Sequence, residues 1–187
     1  MLVKQNQVKI AFMQTITDSE AAALRVAQWR DHVANLLGRA PRGLRDIAVF
    51  NTQGQPAVIR VASLVDGKPF PTLYWLVDPQ LSLRIDRIEA TGLIAQMQAQ
   101  VAASAALQAT MLADHQAHKR HRDHFLSADE RRHLSECGMM AALDQRGIGG
   151  IAEPTRIRCL HTWYAAHLVT ANTIGQLLDA YWQAEPL

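Results

Sequence analysis

The sequence predicts an α+β fold, with a small antiparallel sheet of about three strands packed against a mostly helical C-terminal half. Short β-branched runs separated by turn formers are confined to residues 46–77. From Pro79 onward, apolar residues recur at helical spacing for most of the chain. This segregation of the two patterns separates α+β from an alternating α/β arrangement. With 187 residues, 49% of them apolar and 19% charged, the chain has enough material for one sizeable core and lacks the low hydrophobicity of disordered sequences. The expected organisation is an N-terminal extension with one helix over residues 1–36, followed by a single domain over 37–187.

In the extension, Ser19–Leu37 is rich in Ala, Leu, Glu and Arg. Asp18 or Ser19 is placed as a cap and Gly38 as a stop, so a helix is expected, packing through Leu24, Ala27, Val33 and Leu37. Asp46–Phe50 and Ala57–Leu64 read as strands joined by the hairpin loop Asn51–Gln55. Val65–Lys68 marks a second turn and Thr72–Val77 a third strand. Pro69 and Pro71 restrict its start, because proline has no amide to give to a ladder.

Beyond it, Leu81, Ile85, Ile88 and Leu93–Met97 follow helical spacing, with a break at Gly92. The Ala/Gln-rich run Gln96–Ala113 continues into the histidine-rich stretch His115–His133. Ser127-Ala128-Asp129-Glu130 reads as a capping box that opens a helix to about Gln145. Gly147, Gly149 and Gly150 form a flexible connection. Pro154 is then placed to open a helix carrying Arg156–His167 and ending at Asn172, and Ile174–Trp182 supplies one more.

Several function classes are set aside by what the sequence contains. A net charge of +2 gives no electrostatic footprint for nucleic acid. Two cysteines, Cys137 and Cys159, match no disulfide scaffold, zinc ribbon or redox pair. The first residues are too polar for a secretory signal and no run approaches a membrane span, so a soluble, cytoplasmic chain with no membrane partner is expected. No phosphate loop, nucleophile elbow or H-E-x-x-H pair occurs.

The residues of most chemical interest are Arg156-Ile157-Arg158-Cys159-Leu160-His161, followed by His167. On one straight helix, Cys159 and His167 stand about 12 Å apart along the axis, too far for one metal ion. In that geometry Arg156, Cys159, Trp163 and His167 share a stripe while His161 points to the opposite side. A metal would then require ligands from another helix, and none is assigned. Cys159 acting as a nucleophile would need exposure and a lowered thiol pKa; otherwise it is a small apolar residue. His115, His118, His121 and His124 recur every third residue, a spacing that spirals around a helix and reads as a solvated basic surface.

Taken with Gly38-Arg39-Ala40-Pro41-Arg42-Gly43, Pro69-Phe70-Pro71-Thr72-Leu73-Tyr74, Arg87-Ile88-Glu89-Ala90-Thr91-Gly92 and Gly149-Gly150, that motif resembles the bacterial domain of unknown function family 501, over roughly Leu37–Asp179. The resemblance supplies no activity and identifies no particular cofactor. It singles out His115, Arg122 and Asp123, because the family shows a histidine followed seven residues later by Arg-Asp, and it leaves His118, His121 and His124 as surface residues. The chain departs from the family at Asn172-Thr173-Ile174-Gly175-Gln176, where relatives carry Asn-Pro-x-Gly-Asp.

The matched polar residues are biased to arginine, whose planar fork suits phosphate and carboxylate. The expected site therefore takes a phosphate-type or other small anionic ligand on Arg42, His115, Arg122, Arg156, Arg158 and His161. Glu89, Asp123, Cys159 and His167 are secondary candidates. Two alternatives stand beside it: a protein-interaction module whose arginines are structural, and an interhelical metal protein.

Overall fold

A computed structural model describes residues 17–184. Strands β1 (Leu44–Phe50), β2 (Pro56–Val61) and β5 (Tyr74–Leu76) form an antiparallel sheet in the order β1-β2-β5. The short strands β3 (Leu64–Val65) and β4 (Lys68–Pro69) make a separate hairpin. Its turn places Asp66 at φ 51° and Gly67 at φ 72°, the two left-handed positions that a two-residue turn between antiparallel strands requires. The central strand β2 is buried at every position except half-buried Arg60. Val58 joins the larger core, whereas Ile59 and Val61 join a smaller core on the other face of the sheet.

Helix α1 (Asp18–Leu37) covers that smaller core. Thr17 and Glu20 form its capping box and Gly38, at φ 66°, ends it. Of the expected packing residues, Val33 is buried and Leu37 packs against this core, but the stripe continues through Trp29, Val26 and Ala22 rather than Ala27 and Leu24. Leu24 is 61% exposed and Ala27 is also exposed. The stripe that carries Trp29 buries more apolar surface against the sheet, and Leu24 lies roughly opposite it at about 100° per residue.

The remainder is helical: α2 (Pro79–Ala90), α3 (Leu93–Ala102), α4 (Ala105–Phe125), α5 (Ala128–Glu136), α6 (Met140–Asp144), α7 (Leu160–Val169) and α8 (Thr173–Ala184). The expected α+β architecture is therefore present. The continuous run from Gln96 is interrupted at Ser104, whose hydroxyl accepts the Leu107 amide at 3.2 Å and caps α4. The expected capping box at Ser127 and Glu130 opens α5, but Gly138, at φ 65°, separates that helix from α6. Asn172 does not end α7. Its side chain accepts the Gly175 amide at 2.9 Å and so caps the start of α8.

The departure that matters for function is the start of α7. Residues 156–159 form no helix, Cys159 is extended, and the helix opens at Leu160 instead of near Pro154. Gln98 on α3 holds the preceding segment from both sides, donating to the Thr155 carbonyl and accepting the Ile157 amide, each at 2.9 Å. Ile157 is thereby buried in the main core and cannot take a helical position. Helix α7 itself buries Leu160, Trp163, Tyr164, Ala165 and Ala166, so it forms the centre of the main core.

Candidate functional site

The extended backbone at Cys159, with φ −158° and ψ 126°, brings its thiol beside His161 instead of across a helix from it. The Cys159 Sγ lies 3.5 Å from His161 Nδ1. Helix α2 faces both residues with Ser82, Asp86 and Glu89, spaced four and three residues apart on one side. Glu89 Oε1 accepts the Leu160 amide at 2.6 Å and stands 3.5 Å from His161 Nδ1. On the other edge of the imidazole, Nε2 is 3.2 Å from the Ser82 carbonyl and 3.4 Å from Asp86 Oδ1.

Those two acceptors require a hydrogen on Nε2, so in the neutral ring the Nδ1 lone pair faces the thiol and the Glu89 carboxylate. The contact with Cys159 is the main cause that raises the His161 pKa to about 9, with Glu89 and the Ser82 carbonyl adding to it against the opposing effect of burial. Donor atoms of Glu89, Cys159 and His161 all lie within 4.8 Å of one another, and all three residues are half-buried. Tetrahedral zinc with bonds of about 2.0–2.3 Å places its ligand atoms roughly 3.3–3.8 Å apart, and the Cys159 and Glu89 atoms each stand 3.5 Å from His161 Nδ1. Because Cys159 precedes α7, its thiol and the His161 ring are not held on opposite sides of one helix, whereas His167 stays apart from them with Asn172 and Asp179.

The remaining sequence candidates occupy separate settings. Arg42 is exposed and pairs with Asp66 at 3.1 Å. Arg156 and Arg158 are exposed on either side of buried Ile157, outside the first turn of α7 where they were expected. The anion at that helix N-terminus is the protein's own Glu89. His167 accepts the Asn172 amide at Nδ1, 3.1 Å away, and donates from Nε2 to Asp179 at 3.0 Å, tying α7 to α8. The other Asp179 oxygen accepts from Tyr164 at 2.9 Å.

Arg122 is 0% exposed and holds the chain together from within. Its Nη1 donates to the carbonyls of Pro71 and Arg146, at 3.2 and 2.7 Å, and its Nη2 donates to Leu143 at 2.6 Å. Asp123, its neighbour, is half-buried and has one carboxylate oxygen buried without a partner among the described residues. His115, 2% exposed, accepts the Ile148 amide at 2.9 Å and packs edge-on against Trp163.

His118 is 7% exposed, which corrects the expectation of a solvated row. Met111, His115, His118 and Arg122 form the buried stripe of α4 at spacings of four, three and four. That heptad-like spacing, led by Met111, was the available signal, and the period-three histidine pattern obscured it. His121 lies 3.2 Å from the Tyr74 hydroxyl. His124 is exposed, as expected.

Residues 47–180, most of the chain, match the family described as protein of unknown function (DUF501). The chain belongs to that family. No curated protein and no solved structure matches it. Glu89, Cys159 and His161 all fall within the family region, whereas α1 lies outside it.

Two measurements check these assignments. Replacing Arg122 by Leu leaves three carbonyls, that of Leu143 in a fully buried contact, without this donor, and chemical denaturation should show a loss of about 3 kcal/mol or more. The buried histidines give a pH signature. Burial is the main cause that lowers the His115 pKa to about 4, with Lys119 adding to it, and the His118 pKa to about 3, with Arg122 adding to it. In the unfolded chain both titrate near about 6.5, so the unfolded state binds more protons below that pH. Their contribution is fully present above the unfolded pKa and declines as pH falls, by up to about 1.4 kcal/mol per pH unit for each histidine. Urea denaturation from about pH 7 to pH 5 should show the decline and a shallower slope in His118→Gln. A flat profile would mean that both rings are solvated.

Proposed function

We propose that this chain binds a divalent transition-metal ion, zinc by preference, between Glu89, Cys159 and His161. The observation that carries the reading is the convergence of a thiol, an imidazole and a carboxylate within 4.8 Å from two separate helices. Thiolate and imidazole are donors that favour zinc over the hard cations, which prefer all-oxygen sites. The Ser82 carbonyl and Asp86 fix the His161 ring through Nε2, the outer support that metal-ligating histidines characteristically have.

Three protein ligands leave a fourth position for water or a substrate atom, the arrangement found in reactive zinc sites rather than in closed structural ones. The local charge supports a cation over the phosphate-type anion suggested by the arginine bias. Asp86, Glu89 and the thiol surround His161, whereas Arg156 and Arg158 extend into solvent.

The test is zinc titration of the full chain after chelator dialysis, followed by calorimetry, with cobalt as a spectroscopic substitute. One equivalent should bind and raise thermal stability, by about 2.7 kcal/mol at a hundred times the dissociation constant. Cys159→Ser, His161→Gln and Glu89→Gln should each weaken binding by at least about tenfold, and the cobalt thiolate charge-transfer band should vanish in Cys159→Ser. Cys137→Ser, at an exposed cysteine, should leave both unchanged. Absence of stoichiometric uptake by the unsubstituted chain, or equal loss in Cys137→Ser, would refute the assignment.

A further inference from the structure

A groove of about 970 Å³ runs between α1, the β1–β2 ladder and the start of α5. Arg25, Arg30, Arg45 and Arg60 line it, with Asp18, Asp46 and Glu130 as its acidic residues. Among the described residues, the ion pairs within the groove engage Arg25 and Arg45 and leave exposed Arg30 and half-buried Arg60 without a carboxylate. Asp46 is the cross-strand partner of Arg60 in the β1–β2 register. Both of its carboxylate oxygens, however, are engaged by Arg25, through Nε at 2.7 Å and Nη2 at 2.9 Å. Glu130 pairs with Arg45 at 2.9 Å. Asp18 is exposed at the first position of α1.

Arg60 has no carboxylate within ion-pair distance among the described residues. Its guanidinium instead lies over the Phe125 ring, 4.0 Å from the centroid. Stacking of this kind covers one face of the planar fork and orients its edge donors, which prepares them for a bidentate acceptor. Arg60 is half-buried, and burial together with the nearby Arg45 and Arg25 lowers its pKa despite the favourable field of Asp46. A partly desolvated permanent cation beside two others is costly unless an anion compensates it.

We propose that this groove binds a phosphate-bearing small molecule, with the phosphate held on the Arg60 fork and flanked by Arg45 and Arg25. Phosphate is favoured over carboxylate because the Arg60 fork, together with the Arg45 donors other than the Nη2 that holds Glu130, offers more N–H groups than the two oxygens of a carboxylate can accept. The groove volume lies near the upper end of the range for small-molecule sites, about 300–1,000 Å³, and so leaves room for more than the phosphate itself. The site shares no residue with the metal cluster and does not depend on it.

The test uses chelator-treated full chain and calorimetric titration with inorganic phosphate and with pyrophosphate at low ionic strength. Saturable binding is expected, tighter for pyrophosphate and weakened by added salt. Arg60→Gln should lower the affinity by at least about tenfold. Arg60→Lys, which keeps the charge and loses the fork, should also weaken it. Arg42→Gln and Cys159→Ser should bind as the parent does, which separates this site from the exposed arginines and from the metal cluster. Should Arg60→Gln fail to fold by circular dichroism, Arg45→Gln carries the same expectation. No saturable binding of either probe, unaltered binding in a folded Arg60→Gln, or binding to phosphatidate vesicles but to neither soluble probe would overturn the assignment.

Discussion

Glu89 accepts the Leu160 amide at 2.6 Å, and the placement of α7 against α2 follows from that bond. A carboxylate at the first turn satisfies an amide that has no partner inside the helix and also meets the positive end of the helix dipole. Because the cap comes from α2 and not from the chain just before α7, residues 156–159 are free to leave the helical path and bury Ile157. Gln98 secures that course through its two bonds to Thr155 and Ile157. The thiol of Cys159 and the ring of His161 then meet on the Glu89 side of the helix. The candidate metal cluster is therefore a consequence of how α7 is started, and the same carboxylate serves helix capping and the cluster.

Among the arginines that the fold engages, three physical uses recur, and only stacking on a ring leaves the fork available for a ligand. Arg122 is consumed by backbone carbonyls, and Arg25, Arg42 and Arg45 by carboxylates. Arg39, Arg60 and Arg84 lie over Trp75, Phe125 and Trp182. Arginine-rich composition in this chain thus reflects packing and capping as much as anion recognition. Stacking on an aromatic ring leaves the edge donors unsatisfied, so Arg60 keeps the chemistry that Arg122 has lost.

The elements that sequence reading recovers are those set by local chemistry. Gly38 ends α1, Ser127 and Glu130 box the start of α5, and Asn51–Gln55 joins β1 to β2, because each depends on residues within a few positions of one another. What stayed hidden depends on contacts distant in sequence. Pro154 is a legitimate opening for a helix, yet Gln98, 59 residues before Ile157, overrides it. The cluster needs Glu89, 71 residues before Leu160, and no spacing within the Arg156–His167 motif points to it. Arg122 and His115 were singled out by resemblance, but their burial gives them structural partners that composition does not disclose.

Helix α1 lies outside the family region, yet it determines the chemistry of the groove it borders. Within the sheet alone, Asp46 and Arg60 stand in register on neighbouring strands, and opposite charges so placed attract each other. Arg25 of α1 intervenes with a bidentate hold on Asp46, a geometry that a single cross-strand contact does not match. Arg60 is released onto Phe125, and its fork loses the acid that would otherwise neutralise it. A chain of the same fold lacking this helix leaves Asp46 free for Arg60, and its groove has neither the far wall nor the uncompensated cation. The unpaired Arg60 fork that carries the proposed anion site thus depends on a helix outside the family region, while the residues of the candidate metal cluster lie within it.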